Sequence, residues 1–208
     1  MFLKQRPSQT IMEGIIAIGI IVTSTIGAMT LIIVTVSAGQ SSQDQIIASN
    51  YAREGIEIVR GLRDSNWLKR SQNITNPNAV VPGSLYEWDD NSTYDPVASQ
   101  PVAYKKLGAD AGNSFLAVFD SSTGWKLVPN DGSALTIIGQ SASQGYMTQN
   151  CSACNPSKYT RIITITNAAE TVFTSKVIKY LTVTSDVTWE NHGHKGYLMT
   201  ANLYDWKS

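Results

Sequence analysis

A long uncharged segment near the N-terminus limits the possible folds of this chain more than any other feature. No charged residue occurs from Gly14 to Gln43, where most residues are Ile, Val, Ala, Met, Thr or Gly. Because roughly 20 apolar residues in a helix span the hydrocarbon core of a bilayer, the segment predicts a membrane-spanning helix. Glu13 directly precedes it. A carboxylate beside hydrocarbon is unfavourable unless it is paired or neutral, so Glu13 is a candidate functional residue.

Glu13 also has a simpler interpretation, in which its carboxylate caps the membrane helix at the headgroup level and complements the helix dipole. The residues before it favour a functional role. The segment KQRPSQTIME, residues 4–13, places a basic leader before a small residue, Ser8, with Glu13 five residues further on. This arrangement resembles the cleavage and N-methylation signal of type IV prepilins and pseudopilins. Ser8 stands where that family most often has Gly, and Gln9 where it most often has Phe.

The resemblance implies a set of site residues and partners. A prepilin peptidase would cut between Ser8 and Gln9, and Gln9 would then be N-methylated. Thr10 and Glu13 would become assembly residues that contact neighbouring subunits. The implied partners are other pilin subunits in a homo- or hetero-oligomeric filament, the peptidase and the pilus assembly platform. The implied location is the cytoplasmic membrane, as a single-pass protein with its head outside, and then a filament at the cell surface.

An ordinary secretory signal peptide is the competing interpretation of the N-terminus. Its apolar region has about 7 to 15 residues, and the uncharged segment here is much longer. The basic residues Lys4 and Arg6 lie before the helix, which favours a cytoplasmic N-terminus and an exported C-terminal head. Both interpretations therefore export the head.

The helical pattern continues beyond the uncharged segment. Apolar residues recur there at steps of three and four with charged residues between them, which predicts an amphipathic helix. They are Ile47, Ala48, Tyr51, Ala52, Gly55, Ile56, Ile58, Val59 and Leu62. No proline occurs between Pro7 and Pro77, so a single helix from about Gln9 to about Leu68 is predicted. The alternative is two helices with a break near Ala38 and Gly39.

The predicted organisation has four parts. These are a leader at 1–8, a hydrophobic membrane or filament-core helix at 9–43, an amphipathic continuation at 44–70 and an exported head at 71–208. The predicted fold is α+β, with the amphipathic half of the helix packed on a C-terminal antiparallel sheet. This is also the pilin-like architecture that the resemblance implies.

The strands of the head are predicted from alternating apolar residues and from turn signals. In the predicted strand at 181–189, Leu181, Val183, Val187 and Trp189 share one face, and Ser185 interrupts their alternation. An antiparallel meander is expected in the last third of the chain. The predicted strands are Phe115–Phe119 and Trp125–Val128, which form a hairpin, a short strand at 134–138, and strands at 161–166, 181–189 and 197–206.

The segment from Ser71 to Gln100 is rich in Asn, Pro, Ser and Asp, which predicts a long surface loop. A group of oxygen-bearing side chains within it could bind a hard cation such as calcium. The group consists of Asp89, Asp90, Asn91 and Asp95. The spacing of an EF-hand and its closing Glu are absent, so a solvated acidic turn is the favoured interpretation and no metal site is predicted.

The two cysteines of the chain, Cys151 and Cys154, form a CxxC motif in a polar loop. A redox-active CxxC usually lies at a helix N-terminus, which is not predicted here. In an exported head a structural disulfide is favoured over a redox or metal role. Zinc would need two further ligands, for which His192 and His194 are the available imidazoles. A solvated turn is the favoured interpretation of these histidines.

Composition and motifs argue against several other functions. The chain has 16 basic and 16 acidic residues and no clustered basic patch, which does not favour nucleic-acid binding. It contains no GxSxG elbow, HExxH motif, Walker loop or dinucleotide-binding fingerprint, so neither an enzyme nor a cofactor is predicted. Two alternatives to a filament subunit remain, namely a single-pass membrane-anchored extracellular binding domain and an anchored thiol oxidoreductase.

Overall fold

The structure is a computed structural model, which describes residues 7–76, 83–91, 106–108, 114–120, 124–130, 137–141, 147–149, 154–172, 176–191 and 193–205. The chain divides into two compact units, Met1–Gln45 and Ile46–Ser208. The second unit contains the end of the N-terminal helix and the whole sheet.

One helix, α1, runs without interruption from Pro7 to Ser71. The predicted single helix is therefore confirmed, and the alternative of a break near Gly39 is wrong. The helix ends in a Schellman-type cap, in which Asn73 has a positive φ of 54°. The N–H of Ile74 donates to the carbonyl of Lys69 at 3.0 Å, and the N–H of Asn73 donates to that of Arg70 at 3.1 Å.

Among the described residues, seven strands form one antiparallel sheet. They are β1 (Ser114–Asp120), β2 (Gly124–Pro129), β3 (Ile137–Ser141), β4 (Met147–Thr148), β5 (Cys154–Val172), β6 (Lys176–Glu190) and β7 (His194–Tyr204). Strand β5 pairs with β6 along one edge, and its other edge is shared by β3 and β1. Strand β7 pairs with the far edge of β6, and β2 and β4 pair with β1 and β3.

The predicted hairpin and the predicted meander are both confirmed. Strands β1 and β2 pair antiparallel from Phe115–Pro129 to Asp120–Gly124, and β5, β6 and β7 follow one another as antiparallel neighbours. Strand β5 is much longer than the predicted 161–166, because it pairs with β3 at its start and because its pairing with β6 continues through polar residues to Val172. The short strand predicted at 134–138 begins at Ile137, and residues 134–136 lie outside the described part. Trp206 also lies outside it.

The core of the second unit lies between α1 and the inner face of the sheet. Apolar residues spaced by three and four along the helix are fully buried, including Ala48, Ala52 and Val59. Val59 packs in one cluster with Ile163 on β5, which is also fully buried. Ala48 and Ala52 pack in a second cluster with Val187 on β6, which is fully buried as well. Burial of both apolar surfaces is the main favourable term for this α+β arrangement.

Helix and sheet approach closely at Gly55. A Cβ atom added there would lie 2.7 Å from the Oγ of Ser185 and 3.3 Å from the Cδ1 of Ile163. Ser185 is fully buried, on the same face of β6 as Leu181 and Val183. A small residue is therefore needed on both the helix and the strand, which accounts for the small size of Ser185 among the larger apolar residues of β6.

The interpretation of residues 71–100 as a surface loop is wrong for the buried residues of 83–91. Tyr86, Trp88, Asp90 and Asn91 are each less than 8% exposed, and Trp88 belongs to the main apolar core. The segment is polar in composition, but burial of its two large aromatic side chains is favourable and draws the segment against the core. Residues 77–82 and 92–100 lie outside the described part.

Candidate functional site

The first compact unit presents an apolar helical surface on all sides. Every residue from Ile11 to Gln43 is exposed, and the large apolar side chains from Ile11 to Val36 are 50–68% exposed. Among the described residues, α1 from Ile11 onward is the helix that is long and apolar enough to cross a membrane. A continuous apolar surface of this size marks a site that contacts lipid or other protein.

The threonine hydroxyl groups of this segment are satisfied within the helix itself. The Oγ1 atoms of four threonines each donate to the carbonyl oxygen four residues earlier, at 2.8–3.0 Å. These threonines are Thr23, Thr25, Thr30 and Thr35. A helix in hydrocarbon has no water to satisfy its polar groups, so this internal bonding makes the segment compatible with an apolar environment.

Glu13 is the acidic residue at the start of this surface, and it is exposed. In the described part of the chain, no basic side chain forms an ion pair with it. The backbones of Ser8, Gln9 and Thr10 lie in the first turns of the same helix, and their side chains lie outside the described part. The helix therefore carries the implied cleavage site and Glu13 on one regular element.

The acidic group predicted as a solvated turn is an ion cluster centred on Lys106. The Nζ of Lys106 lies 3.0 Å from Asp89 Oδ1 and 2.9 Å from Asp90 Oδ1, and it also bonds the carboxylate of Glu87. These carboxylates are close enough together to bind a cation, and the ammonium already supplies the positive charge. Asp90 is only 6% exposed, so the prediction of a solvated turn is wrong. Asp95 lies outside the described residues.

Protonation in this cluster reflects burial and the close approach of opposite charges. Burial favours neutral Lys106, but its bonds to the three carboxylates outweigh this and raise its pKa well above the ordinary value. The bond from Lys106 lowers the pKa of Glu87. Burial raises the pKa of Asp89, and Lys106 opposes that effect. Lys106 therefore stays charged at physiological pH and holds 83–91 to 106–108.

Replacing Lys106 with Ala is expected to lower the free energy of unfolding by about 2 kcal/mol, because Asp90 remains buried without its counter-charge. Millimolar calcium should raise the thermal midpoint of Lys106→Ala more than that of the wild type, because the carboxylates then lack a cation. Thermal unfolding of the full chain in detergent measures both effects. Lys195→Ala, at an exposed lysine on β7, is the control. Equal midpoints for Lys106→Ala and Lys195→Ala would contradict the assigned role.

The structure places the cysteine and histidine candidates in separate contexts. Cys154 is disulfide-bonded and begins β5, whereas Cys151 and His192 lie outside the described residues. His194 begins β7 and is exposed, with its Nδ1 3.1 Å from the Oε1 of Glu190. Among the described residues, neither Cys154 nor His194 belongs to a cluster of metal-binding side chains.

A buried arginine joins α1 to the sheet, and the sequence interpretation missed it. Arg161 on β5 is 1% exposed, and its Nη1 donates to Glu54 Oε2 at 2.9 Å and to the carbonyl of Tyr51 at 3.1 Å. Its Nε donates to the Oε1 of Gln149 at 3.2 Å. Burial lowers the pKa of Arg161, and Glu54 opposes that effect. The sequence contained one signal for its burial: Arg161 lies two residues before the core residue Ile163, so both side chains lie on the same face of the strand.

Comparisons with known proteins add no relative. No protein-family model, curated protein or solved structure matches this chain. The resemblance of residues 4–13 to the signal of type IV prepilins therefore stays a prediction. The fold and the exposed apolar helix are the structural features that bear on its function.

Proposed function

We propose that this chain is a structural subunit of a type IV pilus or pseudopilus-like filament, of the minor pilin or pseudopilin kind. The observation that carries the proposal is that the two halves of α1 have different environments. Its residues from Ile11 to Val36 expose apolar side chains all round, whereas its residues from Ala48 to Trp67 pack on the antiparallel sheet. A helix that is apolar on every face is stable inside a membrane or among other apolar helices. A subunit of such a filament meets both environments, because its helix lies in the membrane before assembly and among the helices of other subunits afterwards.

Glu13 gives this assembly a specific contact. After cleavage at Ser8 the new N-terminus is the ammonium of Gln9, and we assign it as the partner of Glu13 on a neighbouring subunit. A carboxylate that enters an apolar bundle is costly when it is alone and tolerated when it is paired with an opposite charge. The exposure of Glu13, without a described ion-pair partner in its own chain, supports this role.

The proposal includes the partners and locations that processing requires. The chain first spans the cytoplasmic membrane once, with the head outside, and a prepilin peptidase removes the leader on the cytoplasmic side. An assembly platform then transfers the helix into a filament of like or related subunits. The basic leader residues before the apolar helix support this orientation.

The rival functions make different predictions from the same residues. A membrane-anchored binding domain would keep its N-terminus uncut and would not depend on Glu13. A thiol oxidoreductase would exchange disulfides through the CxxC motif, and Cys151→Ser would abolish that activity. The disulfide at Cys154 is compatible with either a structural or a redox role, so these alternatives are separated by experiment.

The N-terminal residue of the chain from native membrane and cell-surface fractions tests the proposal. We expect a mass that begins at Gln9, with or without one methyl group. Ser8→Gly should be cut in the same way, whereas Ser8→Leu should retain Met1 because a large side chain replaces the small residue at the cut. An intact Met1 in the wild type would favour the anchored binding domain. A cut after the apolar segment would indicate a released head and no pilin.

A further inference from the structure

Three asparagines of this chain lie in the acceptor sequence for N-linked glycans. That sequence is Asn-x-Ser/Thr with x other than proline, and in exported proteins it is modified at accessible positions. It occurs at Asn73, Asn91 and Asn150. Asn150 lies outside the described part. The two asparagines that the structure describes, Asn73 and Asn91, differ in the accessibility of their side chains.

Asn91 is buried and occupied. It is 3% exposed, and its Nδ2 lies 3.5 Å from the carbonyl oxygen of Leu127, to which it donates. A transferase needs the amide nitrogen of the acceptor in its own active site. In the folded head, Asn91 does not present that nitrogen.

Asn73 has the opposite environment. It occupies the left-handed position that ends α1, where asparagine is one of the few residues with a side chain that fits readily. The backbone N–H of Asn73 is used in the helix cap, and Asn73 and Thr75 are both exposed. Ile74 between them is 42% exposed. All three residues of the acceptor sequence are therefore accessible on the folded head.

The surroundings of Asn73 also suit a glycan. Thr75 pairs with Leu85 in an isolated antiparallel bridge, and Leu85 is 39% exposed. Ile74 and Leu85 thus leave apolar surface open beside the acceptor. A hydrated glycan attached at Asn73 would cover this surface on a head that faces water.

We propose that Asn73 is a site of N-linked glycosylation on the exported head. The donor class is a glycan linked through C1 to a polyprenyl diphosphate. The Nδ2 of Asn73 forms a bond to C1, the bond between C1 and the diphosphate oxygen breaks, and the carrier leaves as polyprenyl diphosphate. The proton lost from Nδ2 passes to a base of the transferase, so no oxidant or reductant is required. The proposal rests on the export of the head in the proposed function.

Mass spectrometry of the chain from native cells tests this site. The peptide that contains Asn73 should carry the mass of one or more monosaccharide residues in the wild type and in Thr75→Ser, which keeps the acceptor sequence. Asn73→Gln and Thr75→Ala should lose that mass. Thr75→Ala leaves Asn73 in its helix-capping position, so it separates loss of the acceptor sequence from any change at the cap.

The outcomes that overturn the site are distinct from those that overturn the pilin proposal, because the N-terminus is read from the same sample. Unmodified Asn73 in a chain that begins at Gln9 overturns glycosylation and leaves the pilin proposal standing. A glycan at Asn73 in a chain that retains Met1 supports the site and argues against the pilin. A glycan on Asn91, or on the hydroxyl of Thr75, overturns the assignment to Asn73.

Discussion

Replacing Arg161 with Ala is expected to lower the free energy of unfolding of the second compact unit by about 3 kcal/mol. The substitution removes the charge that pairs with Glu54 and the donors to the carbonyl of Tyr51 and the Oε1 of Gln149. It also leaves a cavity, because the Arg161 side chain is fully buried between helix and sheet. Denaturant titration of the full chain in detergent, followed by tryptophan fluorescence, measures the change.

Two further variants separate the charge from the packing. Arg53→Ala, at an exposed arginine on the same helix, should stay within about 0.5 kcal/mol of the wild type. The double variant Arg161→Met with Glu54→Leu should recover part of the loss, because it replaces the buried guanidinium and the one-third exposed carboxylate together and leaves neither charge without its partner. An Arg161→Ala protein as stable as Arg53→Ala would contradict the assigned role of Arg161.

The periodic parts of the fold could be predicted because periodicity is a local property. Ala52 and Val59 repeat with the helical period, and Leu181 and Val183 alternate with the strand period. The absence of proline between Pro7 and Pro77 was enough to favour one continuous helix. Each of these signals lies within a few residues, so the sequence carries them without knowledge of tertiary packing.

Contacts that cross the sequence were not predictable in the same way. In the sequence Ser185 is only a polar residue among apolar ones. The steric reason for a small side chain there is its contact with Gly55, which lies on α1. Lys106 neutralises carboxylates at 87–90, and nothing in the composition of that segment identifies its partner. Strand β5 extends through polar residues such as Glu170 because β6 pairs with it, although those residues lack an apolar pattern.

The candidate assembly residues are different again, because their partners are other chains. Ser8, Gln9 and Glu13 were found from a linear pattern, which a peptidase would read before any filament forms. The fold of one chain places these residues on α1 and exposes Glu13. A filament contact adds a neighbouring subunit, so it requires a measurement on assembled material.

Replacing Glu13 with Ala is expected to reduce incorporation of the chain into filaments by roughly tenfold or more, because an ammonium left unpaired in an apolar bundle costs several kcal/mol. The head should fold normally, since Glu13 lies in the first compact unit and the sheet in the second. The ratio of variant to wild type in sheared filaments, normalised to the membrane fraction, measures incorporation.

Three comparisons make the Glu13 result specific to charge pairing. The variant chain must still begin at Gln9, so that reduced incorporation does not reflect failed cleavage. Glu190→Ala, at an exposed glutamate of the head, should be incorporated normally. Glu13→Gln keeps the size and hydrogen bonding of the side chain but removes its charge, so it should fail like Glu13→Ala if the ammonium of Gln9 is the partner. Normal amounts of Glu13→Ala in sheared filaments would refute the assembly role. Normal amounts of Glu13→Gln together with reduced amounts of Glu13→Ala would show that Glu13 acts through a neutral hydrogen bond and not through an ion pair.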